Sequence, residues 1–251
     1  MSPAGSIASV SHLPIPAPTV TDPSPAARLQ EVHARIRAAA EAAGRPCPRL
    51  LAVSKVQPAE AVAALAAAGQ RAFGENYVQE AAAKRQALDP SVDAALEWHL
   101  IGHLQSNKAA VAARVFDWVH SIDRASVVTA LAARRDPAAA PLNVLLQVNV
   151  EGEEGKAGCR PDEVEALAAA VAAQPRLALR GLMAIPVPHP DPEQRRPAFQ
   201  AMKRLFDALA ARHPQVDTLS MGMSDDFAVA ISEGATLVRI GTALFGPRPR
   251  P

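Results

Sequence analysis

The chain has 251 residues, 49% of them hydrophobic, with 26 Lys and Arg against 25 Asp and Glu. This length and apolar content allow a substantial core, and barrel folds of this size are often one domain. The balanced charge and the 4% aromatic content leave neither the field nor the stacking platforms that nucleic acid or an acidic membrane would use.

Residues 1–24, "MSPAGSIASVSHLPIPAPTVTDPS", are rich in Pro, Ser and Ala. They lack the basic start and sustained apolar run of a signal peptide, and their composition predicts a disordered leader. No run of about 18 apolar residues is present to cross a membrane, so the expectation is a soluble cytoplasmic protein. Cys47 and Cys159 form no CxxC and no zinc spacing. They read as free thiols of a reducing compartment.

A helix is expected over 25–43, where Leu29, Val32, Ile36 and Ala39/Ala40 share one face and Gly44 and Pro46 stop the chain. Apolar or β-branched runs follow at 50–54, 71–75, 97–102, 118–123, 143–150, 179–185, 218–223 and 237–245. Between them lie alanine-rich stretches with helical spacing at 59–68, 79–88, 108–114, 125–135, 161–173, 191–212 and 227–233. Strand and helix alternating eight times is the pattern of an α/β protein, a (β/α)8 TIM barrel. An open doubly wound sheet is the other arrangement of such elements, but no GxGxxG follows the first strand. The barrel is expected to span 25–247 as one domain, with 248–251, "RPRP", as a short tail.

Chemistry in such barrels sits where strands end. The first run, "LLAVSKVQPAE" (50–60), ends on Ser54 and Lys55. A lysine amine there can condense with an aldehyde, and apolar surroundings favour its neutral, nucleophilic form. The seventh run ends at "MGMSDD", placing Ser224 before a helix, where it either caps that helix or faces an anion. The eighth ends at "RIGT", with Gly241 for close backbone approach and Thr242 for a hydroxyl. Loops after strands 7 and 8 are the usual phosphate cradle of this fold, and strand 8 pairs with strand 1 on closure. A lysine beside a phosphate cradle matches pyridoxal 5′-phosphate (PLP), which carries an aldehyde and a phosphate. Arg239, two residues before Gly241, shares its face and can reach toward a pyridine nitrogen.

"AVSKVQP", "FGENYVQE", "WHLIGHLQSNK", "LRGLMAIP" and "LSMGMSDDFAVAISEGATLVRIGTALFG" closely resemble the PLP homeostasis proteins. These are single-domain barrels similar to the alanine racemase N-terminal domain, and the likeness runs from about residue 26 to 247. The resemblance implies an internal aldimine between Lys55 and PLP. It implies that Ser224, Gly241 and Thr242 hold the phosphate, that Arg239 faces the pyridine nitrogen and that Asn76 lines the cofactor.

An arginine at the ring nitrogen cannot accept its proton, whereas PLP enzymes that need a strong electron sink place a carboxylate there. Racemase-type barrels add a tyrosine base from a second domain. The sequence has one tyrosine, Tyr77, read as a packing residue, and ends soon after strand 8. The expectation is a non-catalytic PLP carrier for vitamin B6 homeostasis, monomeric, with PLP-dependent apo-enzymes as transient acceptors. The alternatives are a low-activity amino-acid racemase and a cofactor-free Schiff-base aldolase. His99 and His103 have the spacing of a helical zinc pair without a third ligand. Lys156, in the charged loop 151–158, is read as solvated, with contact to PLP or an acceptor enzyme as the alternative, and Arg195 and Arg196 are expected at the surface. Glu75 is expected to hold a donor inside the barrel.

Overall fold

The computed structural model describes residues 23–246. Nearly all of the expected leader, and the expected tail 248–251, lie outside the described residues. Eight parallel strands close on themselves in sequence order: β1 (Arg49–Val53), β2 (Ala72–Glu75), β3 (Glu97–Leu100), β4 (Trp118–Ile122), β5 (Leu142–Gln147), β6 (Leu177–Met183), β7 (Thr218–Ser220) and β8 (Leu237–Ile240). The barrel shuts by pairing Leu51 with Arg239 and Ala52 with Ile240. Helix α1 (Pro25–Ala42) precedes the barrel. The crossovers carry α2 (Ala59–Ala67), α3 (Val78–Ala87), α4 (Pro90–Asp93), α5 (Ala109–Val115), α6 (Ala125–Arg134), α7 (Val164–Ala172), α8 (Arg196–Arg212) and α9 (Phe227–Ser232), and α10 (Thr242–Phe245) follows β8.

Local signals account for the elements. In α1, Ser24 accepts from the Ala27 N–H and Pro25 starts the helix. Leu29, Val32, Ile36 and Ala40 form its buried stripe, and Gly44 ends it at φ +60°, a region that costs other residues a Cβ clash. The short α4 was not expected from the sequence. Asp89 caps it through the Ser91 N–H, and Pro90 opens it.

The run expected as one strand over 237–245 is two elements. β8 stops at Ile240, Gly241 turns at φ −118°, ψ −74°, and α10 begins. A Cβ on Gly241 would lie 3.2 Å from the Val53 carbonyl, so the close approach expected of this glycine is to the end of β1.

The main core lies between strands and helices. Leu50 and Ala52 of β1 belong to it, whereas Leu51 joins Ala72 and Leu237 in a separate cluster inside the barrel. A strand sends alternate side chains to opposite faces. Leu51 and Val53 are therefore inward positions, and Lys55 continues the series just past the strand, at the mouth.

Candidate functional site

A cavity of about 440 Å³ opens at the C-terminal end of the strands, within the ordinary size range of small-molecule sites. Lys55, Asn76, Ser224, Arg239, Gly241 and Thr242 all line it. Its wall also includes Val53, Ile101, His103, Gln147 and Ile185, which sequence reasoning did not assign.

Each position has a local cause. Lys55 follows the inward sequence of β1 and is half-buried. Asn76 follows β2, and its carbonyl would lie 2.1 Å from a Cβ on Gly102. Only a glycine lets the loops after β2 and β3 come this close. Ser224 does not cap α9, because the flanking residue is Asp226. The serine stands two residues upstream, on the cavity wall. Asp226 instead organises this loop. Its carboxylate accepts from the Met223 N–H at 2.5 Å and from Arg195 at 2.6 Å.

Arg239 is 4% exposed. One terminal nitrogen donates to the Ser220 carbonyl and hydroxyl at 2.8 and 2.9 Å, the other to the Ala184 carbonyl at 2.9 Å. Three of its five N–H donors are thus held by the barrel wall. Burial brings its pKa down to about 10, so the guanidinium is still a cation at neutral pH.

The alanine racemase N-terminal domain family matches residues 27–249. The pyridoxal phosphate homeostasis protein of Pseudomonas aeruginosa is 52% identical over 225 residues, covering 89% of this chain and 95% of its own length. The chain belongs to the pyridoxal phosphate homeostasis protein family. The Escherichia coli K12 relative is 49% identical over 222 residues, covering 88% of this chain and 95% of its own. PipY of Synechococcus elongatus, solved with PLP bound, superposes with a TM-score of 0.76 at 35% identity, over 88% of this chain and all of PipY. Alanine racemase of Corynebacterium glutamicum shares the fold, with a TM-score of 0.63 at 21% identity over 88% of this chain and 62% of the racemase.

Within this family member, a polar chain leads from Arg239 down the barrel. Ser220 Oγ lies 3.2 Å from His120 Nδ1, His120 Nε2 lies 2.9 Å from His99 Nδ1, and His99 Nε2 lies 2.8 Å from Glu97. Burial lowers the pKa of His99, with partial compensation from Glu97. It lowers that of His120 further, helped by His99 and Arg239. For Glu97, burial is outweighed by its bonds to His99 and Arg49, and its pKa falls to about 2. A carboxylate only accepts, so His99 donates from Nε2 and accepts at Nδ1 from His120. His120 then accepts from the Ser220 hydroxyl, which accepts from Arg239. Every bond in the chain points away from the cavity and toward Glu97.

Several expectations need correction. Glu75 lies on the opposite face to Gly74, which fronts Leu51 and Ile101 inside the barrel. By alternation it points outward to α3, where it accepts from Ser54 and Lys84. Tyr77 is not a packing residue; it is 63% exposed and outside the lining of the Lys55 cavity. Arg195 is not at the surface; it is buried and paired with Asp226. Lys156 is half-buried and pairs with Glu153. His99 and His103 do not converge. His99 sits inside the barrel, and His103 is at the rim, 3.5 Å from Asp123. Cys47 and Cys159 are both free thiols, and burial pushes the pKa of Cys159 up to about 12. Polar residues inside strands, such as His99, His120 and Ser220, were the available signal for the chain under Arg239.

Proposed function

We propose that the protein binds PLP in the mouth cavity and holds it reversibly as a Schiff base on Lys55. The carrying observation is the lining itself: the strand-end lysine, two hydroxyls and a close-approach glycine meet across the seam between β1 and β8. The family name of its relatives and the PLP bound in PipY support the same ligand. Ser224, Gly241 and Thr242 hold the phosphate, Asn76 borders the ring, and Arg239 turns its remaining donors to the pyridine nitrogen. PLP supplies an aldehyde, which condenses with an amine with loss of water, and a ring that withdraws electrons. Arg239 keeps its own proton, so the ring nitrogen stays an acceptor and the ring a weak electron sink.

The role is storage and delivery, not turnover. The sequence's one tyrosine is outside the cavity wall, so the two-base arrangement of a racemase lacks its second member on this chain. The barrel of residues 25–247 acts as a monomer in the cytoplasm, with PLP-dependent apo-enzymes as transient acceptors. A low-activity racemase is the rival. The test is borohydride reduction of PLP-loaded protein followed by peptide mapping. A pyridoxyl group on the Lys55 peptide alone is the expected result, and label scattered over surface lysines overturns the reading. Alanine racemisation at enzymatic rates, lost in Lys55→Ala, would overturn the carrier role while keeping the site.

A further inference from the structure

The loop that bears Lys55 holds a backbone anomaly. Val56 sits at φ +57°, the one non-glycine residue with positive φ among the described residues. A β-branched side chain in this region is a genuine outlier and persists only where surrounding bonds impose it.

Those bonds come from one charge cluster on β2 and α3, in which Glu75 and Lys84 are buried and Glu80 is partly exposed. The Val56 N–H donates to Glu80 Oε1 at 2.5 Å. Lys84, 7% exposed, donates to the same Glu80 oxygen at 2.7 Å, to Glu75 Oε1 at 2.7 Å and to the Ser54 carbonyl at 2.6 Å. An ammonium has three protons, and these partners take all three. The Ser54 hydroxyl adds a bond to Glu75 Oε1 at 2.6 Å. The residues on both sides of Lys55 are therefore gripped by the same group of charges. Ser54, Glu75, Glu80 and Lys84 are absent from the cavity wall, so they act on the site through the chain next to them, Lys55 after Ser54 and Asn76 after Glu75.

We propose that Glu80 and Lys84 are positioning residues for Lys55, holding the left-handed kink at Val56 that aims the lysine amine into the cavity. The inference rests on the reading of Lys55 as the PLP anchor. A ligand fixed by its phosphate at the far loops presents its aldehyde at one place, so capture depends on where the amine starts. If Val56 relaxes to negative φ, the Lys55–Val56 peptide swings and the amine leaves that position.

The test uses Glu80→Ala and Glu80→Gln in the full chain, each with Lys55 intact and in a Lys55→Ala background. PLP affinity is read from Schiff-base absorbance where Lys55 is present and by equilibrium dialysis in all forms. Glu80→Ala should weaken PLP binding at least about fivefold when Lys55 is present and leave it unchanged in Lys55→Ala, the signature of coupling between the two positions. Glu80→Gln keeps an acceptor for the Val56 N–H and should recover most of the loss. Adding Val56→Gly to Glu80→Ala should also recover it, because glycine takes this φ unaided. Wild-type affinity in Glu80→Ala overturns the proposal, as does equal weakening with and without Lys55, which marks a general structural role. Pyridoxyl labelling of Lys55 in the wild type separates these outcomes from failure of the anchor reading. An unlabelled Lys55 removes both, and a labelled Lys55 with an indifferent Glu80 removes only the clamp.

Discussion

Replacing Arg195 by Met tests whether a buried ion pair holds the Ser224 loop. Arg195 and Asp226 are 8% and 1% exposed, and their side chains meet at 2.6 Å. Arg195 also donates to the His189 carbonyl at 2.8 Å. In the variant, the Asp226 carboxylate keeps the Met223 N–H as its one hydrogen-bond donor among the described residues. Stripping one partner from a buried pair costs about 3–5 kcal/mol, mainly because the other charge stays buried without compensation. For a domain of this size, about 2–4 °C of melting temperature goes with each kcal/mol, which gives a fall of roughly 6–20 °C. A second effect should appear in binding. Ser224 is two residues from Asp226, so the variant should lose affinity for PLP and keep its affinity for pyridoxal, which has no phosphate. Thermal unfolding of the ligand-free protein and paired titrations with the two vitamers read both effects. Adding Asp226→Leu removes the stranded carboxylate and should return part of the stability. A loss below about 1 kcal/mol, or equal weakening of PLP and pyridoxal, would refute the reasoning.

Three further outcomes follow from the site. Ser224→Ala should speed PLP release by about tenfold, one lost hydrogen bond to a charged group, while reductive trapping at Lys55 persists; an unchanged release rate would remove Ser224 from the cradle. Gly102→Ala should destabilise the protein by about 1–3 kcal/mol, measured by urea unfolding, because its Cβ would meet the Asn76 carbonyl at 2.1 Å; a neutral effect would mean that the two loops are not in contact. His99 and His120 have folded pKa values below their ordinary 6.5, so below that pH the unfolded chain binds protons that the folded chain refuses. Their contribution is complete above pH 6.5 and is lost as pH falls, by up to about 1.4 kcal/mol per pH unit for each histidine. Denaturation curves at pH 7.5, 6.5 and 5.5 check this, and His120→Gln should flatten the slope.

Periodicity and strand-end residues carried much of the fold and site into the sequence. Eight apolar runs separated by helical stretches specify a closed parallel barrel, since short crossovers of one kind leave few other ways to cover both faces. The helix over Pro25–Ala42 was legible because its cap, its proline and its apolar stripe agree. Lys55 was legible as a polar residue ending a strand, and Ser224, Gly241 and Thr242 as hydroxyls and a glycine in adjacent βα loops. Their reading as a PLP site also drew on resemblance, and Asn76 was named from resemblance alone.

Tertiary structure decided which charges are buried. Arg195 looks like one half of a surface pair in sequence, and nothing in the sequence singles out Lys84, yet each lies against a carboxylate from a distant or neighbouring element. Charged residues are ordinarily exposed, and periodicity along one segment does not encode what packs opposite it. The end of β8 was equally out of reach, because the constraint on Gly241 is the Val53 carbonyl. That neighbour, nearly 190 positions earlier in the chain, exists only once the barrel has closed.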